Sequence, residues 1–137
     1  MHNFKTEMRR EQSALPPIRI AEDDSRRLSS LANSTMDLFP RVAQFLAREL
    51  ERATVTAGND LHDVVRMGSK VTYRDDGTGA SRQIVLVYPH EANIELNRIS
   101  ILTPVGAALI GLSVGQRIEF ETPDKRVRSL TVLAVSE

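Results

Sequence analysis

The chain of 137 residues sets 18 Lys and Arg against 18 Asp and Glu, for a formal net charge of zero, and it contains no Cys. That excludes a disulfide framework, a thiolate metal site and a Cys nucleophile. Residues 1–61 carry 9 basic and 9 acidic groups and residues 62–137 the same, so neither half is built to bind nucleic acid by phosphate neutralisation.

In chain order, residues 1–17 have no usable periodicity and no apolar signal-peptide core, and are expected to form a flexible tail. Pro16-Pro17 stops any helix, and Ile18-Arg19-Ile20 alternates as a short strand. Asp23-Asp24-Ser25 offers N-cap oxygens for a first helix carrying Leu28, Leu31 and Ala32, with Asn33-Ser34-Thr35 as its exit. Pro40 suits the first position of a second helix. Val42, Phe45, Leu46, Leu50 and Ala53 make a continuous apolar stripe, which predicts helix from Pro40 to Thr56 with Gly58-Asn59 as its stop. Two such helices joined by a short link predict an antiparallel helical hairpin, a short coiled coil, over residues 18–61.

After His62 the apolar period changes from 3.6 to 2. Val71 and Tyr73 alternate with Lys70, Thr72 and Arg74, and Asp75-Asp76-Gly77-Thr78-Gly79 makes a turn. The run Ile84 to Tyr88 is apolar on both faces, as a central strand is. Ile99-Ser100-Ile101 follows as a short strand. Thr103-Pro104 caps a short helix that ends at Gly111. Ile118 and Phe120 alternate in one strand, and Leu130, Val132 and Ala134 in the last. Residues 62–137 therefore read as an antiparallel sheet with one short helix, and the whole chain as α+β.

The chemistry on offer is sparse. No nucleophile elbow, zinc-binding histidine pair or phosphate-binding glycine loop occurs. His62 beside Asp63 is a weak candidate for an oriented base, against a surface role. Asp75-Asp76 could hold a cation, but a solvated turn is the simpler expectation. Aromatic residues are 4% of the chain, with no Trp, which argues against a stacking platform for single strands. These features predict no cofactor, no metal, no membrane attachment, no strong direct nucleic-acid binding and no enzyme activity, in a reducing cytoplasm.

Two segments carry a family resemblance. His62-Asp63-Val64-Val65-Arg66-Met67-Gly68-Ser69-Lys70-Val71 resembles the entry to the C-terminal domain of the Gre-type transcription elongation factors. Residues 99–115, from Ile99 through Thr103-Pro104-Val105-Gly106 to Gly115, resemble that domain's second signature. The wording is most similar to the branch called regulator of nucleoside diphosphate kinase (Rnk). The resemblance covers residues 62–135, and more weakly reaches back to Ile18.

The resemblance implies a C-terminal fold like that of FK506-binding proteins over residues 62–137, and bacterial RNA polymerase as the partner. Gre factors dock that domain at the rim of the polymerase secondary channel and insert the hairpin towards the active centre. By the same resemblance the contact positions are Ser100, Leu102, Thr103 and Pro104. The competing duty of Thr103-Pro104 is to cap the helix after it. Leu102 stands where cleavage-stimulating Gre factors place an Asp, which implies an apolar contact in place of a charge-assisted one. The hairpin tip falls at Met36, Asp37, Leu38 and Phe39, with Asp37 as its only acid. The acids Glu22, Asp23, Asp24 and Glu49 belong at or towards the far end. The expectation is docking without stimulated transcript cleavage. A peptidyl-prolyl isomerase, suggested by fold alone, or another protein-interaction module acting indirectly on nucleoside diphosphate kinase levels is the alternative.

Overall fold

The computed structural model describes residues 15–58 and 61–137. Residues 1–14 of the expected tail and Asn59 of the expected helix stop lie outside this range. β1 (Arg19–Ala21) leaves Arg19 outward between buried Ile18 and Ile20, the alternation its sequence predicts, and buries Ala21 as well. It is hydrogen-bonded on two sides. β2 (Thr54–Thr56) runs parallel to it, and the Arg19 N–H donates to the Gly111 carbonyl at 3.1 Å. Gly111 has φ +80°, and a Cβ there would stand 3.0 Å from the Ile18 Cβ. The close approach of β1 thus depends on glycine at that position.

α1 (Glu22–Thr35) starts earlier than the Asp-Asp-Ser cap predicts. Ala21 is its N-cap without a side-chain bond, and Glu22, Asp23 and Asp24 lie in the first turn, where negative charge favours the helix dipole. α2 (Pro40–Arg52) follows after residues 36–39, with Pro at its start as expected. It ends four residues before the expected Thr56. Thr54-Val55-Thr56 is a β-branched run, and with β1 available to pair, the extended state wins over another helical turn. Leu28 and Ala32 of α1 and Ala43 and Leu46 of α2 are buried, while Val42, Phe45 and Leu50 are partly buried.

The main sheet has five strands in the order β5-β4-β3-β7-β6: β3 (Lys70–Asp75), β4 (Ser81–Val87), β5 (Arg98–Ser100), β6 (Arg117–Glu121) and β7 (Val127–Ser136). It is mixed, where an antiparallel sheet was expected. Two 3₁₀ turns, Pro89–Glu91 and Ile94–Leu96, carry the chain around, so β5 returns parallel to β4. The outer edge of β5 is closed locally, because the amides of Asn93 and Arg98 donate to each other's carbonyls at 3.0 and 2.9 Å. The alternation expected in β7 also breaks. Thr72 pairs with Ala134 but Tyr73 with Val132, so Leu133 is an extra residue in a bulge. Ala134 consequently faces solvent and Val135 packs on the core.

α3 (Pro104–Leu109) lies between α2 and β6. One continuous core joins Ile18, Ile20, Leu28 and Leu46 of the N-terminal half to Val71, Ile84, Leu109, Ile118 and Leu130 of the C-terminal half. The helical pair therefore lies along the sheet module. At its base, Asp24 accepts from the Met67 amide at 3.4 Å; at its other end, Arg41 donates to the Pro123 carbonyl, also at 3.4 Å.

Candidate functional site

The segment from Ser100 to Gly106 is closed by its own hydrogen bonds. Ser100 Oγ accepts from the Leu102 amide at 3.0 Å. The Ser100 carbonyl accepts from Thr103 Oγ1 at 2.8 Å and from the Thr103 amide at 3.2 Å. Thr103 Oγ1 in turn accepts from the Gly106 amide at 3.0 Å, the N-cap bond of α3. Gly106 has no room for a side chain: a Cβ would stand 2.2 Å from the Ser100 carbonyl oxygen. The structure brings Ser100, Leu102, Thr103 and Pro104 together as one rigid, half-buried loop. Thr103 performs the capping duty anticipated for it.

Beside this loop runs a half-open groove of about 400 Å³. Its floor is Tyr73, Phe120 and Leu130, and Ile99, Pro104 and Val105 form a wall. Asp75, Arg82 and Arg128 supply its charges. Asp75 and Arg128 are paired at 2.7 Å. Thr122 lines the groove next to Pro123, the residue that Arg41 reaches. The Ser100–Gly106 loop, the groove and the start of α2 therefore share one end of the molecule.

The turn between the helices is tight. The amides of Leu38 and Phe39 donate to the Thr35 carbonyl at 3.1 and 2.8 Å, and Thr35 Oγ1 donates to the Leu31 carbonyl at 2.7 Å. Met36 is half-buried and Asp37 exposed, while Leu38 and Phe39 are 73% and 52% exposed. The tip thus presents one carboxylate and two large apolar side chains. The other acids stand at the opposite end, as expected. Asp24 lies against Met67, and burial raises its pKa despite the opposing Met67 amide and Arg66. Glu49 is buried and paired with Arg52, which also donates to the Pro16 carbonyl. Burial outweighs Arg52 and raises the Glu49 pKa. Among the described residues no cluster of three His, Asp or Glu could hold a metal ion.

His62 and Asp63 are exposed. Asp63 adopts φ 57° and contributes through its backbone, its carbonyl accepting from the Val114 amide at 2.9 Å. The Asp75-Asp76 turn is not simply solvated. Asp76 folds back onto β7, where Ser129 Oγ donates at 2.7 Å and Thr131 Oγ1 at 2.9 Å, and Arg74 Nε of β3 donates at 3.0 Å. Burial opposes the Asp76 charge, but the hydroxyl and guanidinium donors outweigh it and lower the pKa. The two carboxylates occupy opposite sheet faces, Asp76 beside outward Ser129 and Thr131, and Asp75 in the groove. Sequence reading missed the groove, because its floor comes from three strands that read individually as ordinary core.

Comparison with known proteins follows the same division of the chain. The family model for the transcription elongation factor GreA/GreB C-terminal region matches residues 60–137, and the model for the Rnk N-terminus matches residues 16–55. The chain belongs to the Gre-type transcription elongation factor family, in its Rnk branch. It is 36% identical over 119 residues to the regulator of nucleoside diphosphate kinase of Escherichia coli K12, covering 86% of this chain and 88% of that protein. With the transcription elongation factor GreA of Rickettsia prowazekii the identity is 40% over 73 residues, 53% of this chain and 44% of that one. A solved GreA/GreB elongation factor from Nitrosomonas europaea superposes with TM-score 0.70 at 34% identity, over 90% of this chain and 100% of its own. The family therefore shares the arrangement of helices followed by a sheet. No helix among the described residues is long and apolar enough to cross a membrane.

Proposed function

We propose that this protein is a transcription regulator that binds bacterial RNA polymerase at the secondary channel, through the Ser100, Leu102, Thr103 and Pro104 loop, and does not stimulate transcript cleavage. Family membership supports the partner. The observation that carries the non-cleaving part is the tip, where Asp37 is the only acid among Met36, Asp37, Leu38 and Phe39. A second catalytic Mg²⁺ needs several hard oxygen ligands in near-octahedral geometry, and a single exposed carboxylate holds it weakly. Reach points the same way: helices of 14 and 13 residues extend only about 20 Å at 1.5 Å per residue. The half-buried loop, preset by Thr103 and Gly106, presents Leu102 and Pro104 at little ordering cost. Any effect on nucleoside diphosphate kinase is then indirect, through expression or protein contact.

Core RNA polymerase should be retained by the immobilised protein, and true Gre factors should displace it. Backtracked elongation complexes incubated with the protein should release no short 3′ RNA above the polymerase-alone control. Dose-dependent release would overturn the non-cleaving assignment, and failure to retain polymerase would overturn the docking assignment.

A further inference from the structure

We propose that Asp76-Gly77, in the turn between β3 and β4, is a latent backbone-modification site: an aspartate open to spontaneous conversion to isoaspartate and held shut by a clamp from β7. The proposal stands apart from the polymerase reading. An Asp followed by Gly is the pair most prone to this reaction, because a residue without Cβ leaves its amide nitrogen unshielded. The Gly77 nitrogen attacks Cγ of the Asp76 carboxylic acid. An N–C bond forms, and the carboxyl OH leaves with the amide proton as water. Water then opens the resulting succinimide at either carbonyl, which restores the aspartate or leaves the backbone running through its side-chain carbon. The chain and water supply every atom of the reaction.

The fold withholds both reactants. Asp76 Oδ2 accepts from Ser129 Oγ at 2.7 Å and Thr131 Oγ1 at 2.9 Å, and Oδ1 accepts from Arg74 Nε at 3.0 Å. Arg117 Nε stands 3.5 Å from Oδ2. The Asp76 amide donates to the Ser129 carbonyl at 3.0 Å, so backbone and side chain are both fastened to β7. Burial opposes the Asp76 charge, but the donors outweigh it and hold the pKa down. The ionised carboxylate has no OH to lose. The nucleophile is held away as well. The Gly77 amide donates to Asp75 Oδ1 at 2.9 Å, and Asp75 Oδ2 is tied to Arg128 at 2.7 Å on the opposite face of the sheet. Glycine at 77 answers no backbone demand. It lies outside the left-handed region that Gly79 occupies at φ 77°, and a Cβ there would meet only Asp75 Oδ1, at 3.3 Å. The turn therefore carries a reactive pair that its geometry does not require, and the clamp suppresses it. When β7 lets go, the carboxylate is free to take a proton and turn onto Gly77.

The test incubates the full chain near neutral pH, folded and in urea, and follows the peptide spanning Asp76 by chromatography, which separates the two isomers although their masses are equal. Isoaspartate should build up in urea and form about a hundredfold more slowly in the folded chain, the scale of two charge-assisted bonds at roughly tenfold each. Ser129→Ala combined with Thr131→Val removes the hydroxyl donors and should speed conversion in the folded chain about tenfold or more, with circular dichroism confirming that it stays folded. Gly77→Ala should nearly abolish conversion in both states. Ala32→Gly weakens α1 without touching the turn, and should leave the folded rate at the wild-type level. Equal rates for folded and unfolded wild type would overturn the proposal, as would a clamp variant that converts no faster. Equal acceleration by Ala32→Gly and the clamp variant would assign the protection to global folding and overturn it too.

Discussion

Thr103 separates a structural from a functional role for the second signature, because a single oxygen carries its structural work. Thr103 Oγ1 accepts the Gly106 amide and donates to the Ser100 carbonyl. Thr103→Ala removes both bonds. The Ser100 carbonyl keeps the Thr103 amide at 3.2 Å, so it is not orphaned, whereas the Gly106 amide loses its cap. Gly106 is buried, which places the loss at about 1–2 kcal/mol, the upper part of the N-cap range. For a chain of this size that lowers the melting temperature by roughly 3–8 °C. Thr103→Ser retains the oxygen and should recover most of the loss. Thermal unfolding of the three proteins, followed by polymerase binding measured well below the lowest midpoint, divides the two roles. A cap alone lowers stability and leaves affinity per folded molecule unchanged. Docking through this loop makes Thr103→Ala combined with Pro104→Ala weaken binding even when fully folded. If Thr103→Ala melts with the wild type, or Thr103→Ser melts with Thr103→Ala, the reasoning from the cap is refuted.

Other perturbations follow from the same geometry. Gly106→Ala forces a Cβ onto the Ser100 backbone carbonyl and should cost about 3 kcal/mol or more, the upper end for overpacking, read from denaturant unfolding. Glu49, whose pKa is raised in the fold, binds its proton more readily folded than unfolded. Its contribution therefore favours the fold increasingly as pH falls from neutrality through that raised value, and Glu49→Gln should flatten this part of the stability–pH curve. Asp76 has the opposite sign. Its lowered pKa supplies stability above the ordinary carboxylate range that is lost as pH falls through the folded value. Asp76→Asn should therefore cost about 1–2 kcal/mol near neutrality and progressively less in acid, by urea unfolding across pH.

Local chemistry was enough to place the strands of the main sheet, both helix starts at prolines and the cap at Thr103. Such features depend on a residue and its neighbours within one turn: the fixed φ of Pro40 and Pro104, the oxygen of Thr103, and the alternation of Val71 and Tyr73. The second signature and the resemblance it carries were legible for the same reason, since each residue there answers a local demand.

Tertiary contact decided what local preference left balanced. Thr54-Val55-Thr56 follows directly on a helical stripe yet is β-branched, and only β1 lying alongside made it a strand. One extra residue at Leu133 turned Ala134 out and Val135 in, a choice set by the partner strand's register and invisible in β7 alone. Asp75 and Asp76 look alike in sequence, but the sheet sends one into the groove with Arg128 and the other outward to Ser129 and Thr131. The groove is the clearest case. Tyr73, Phe120 and Leu130 come from three strands, and the sheet brings them together. Periodicity reports which side of a strand is buried, whereas a groove depends on where the cover over that side stops, and here that edge is set by α3 packing between α2 and β6.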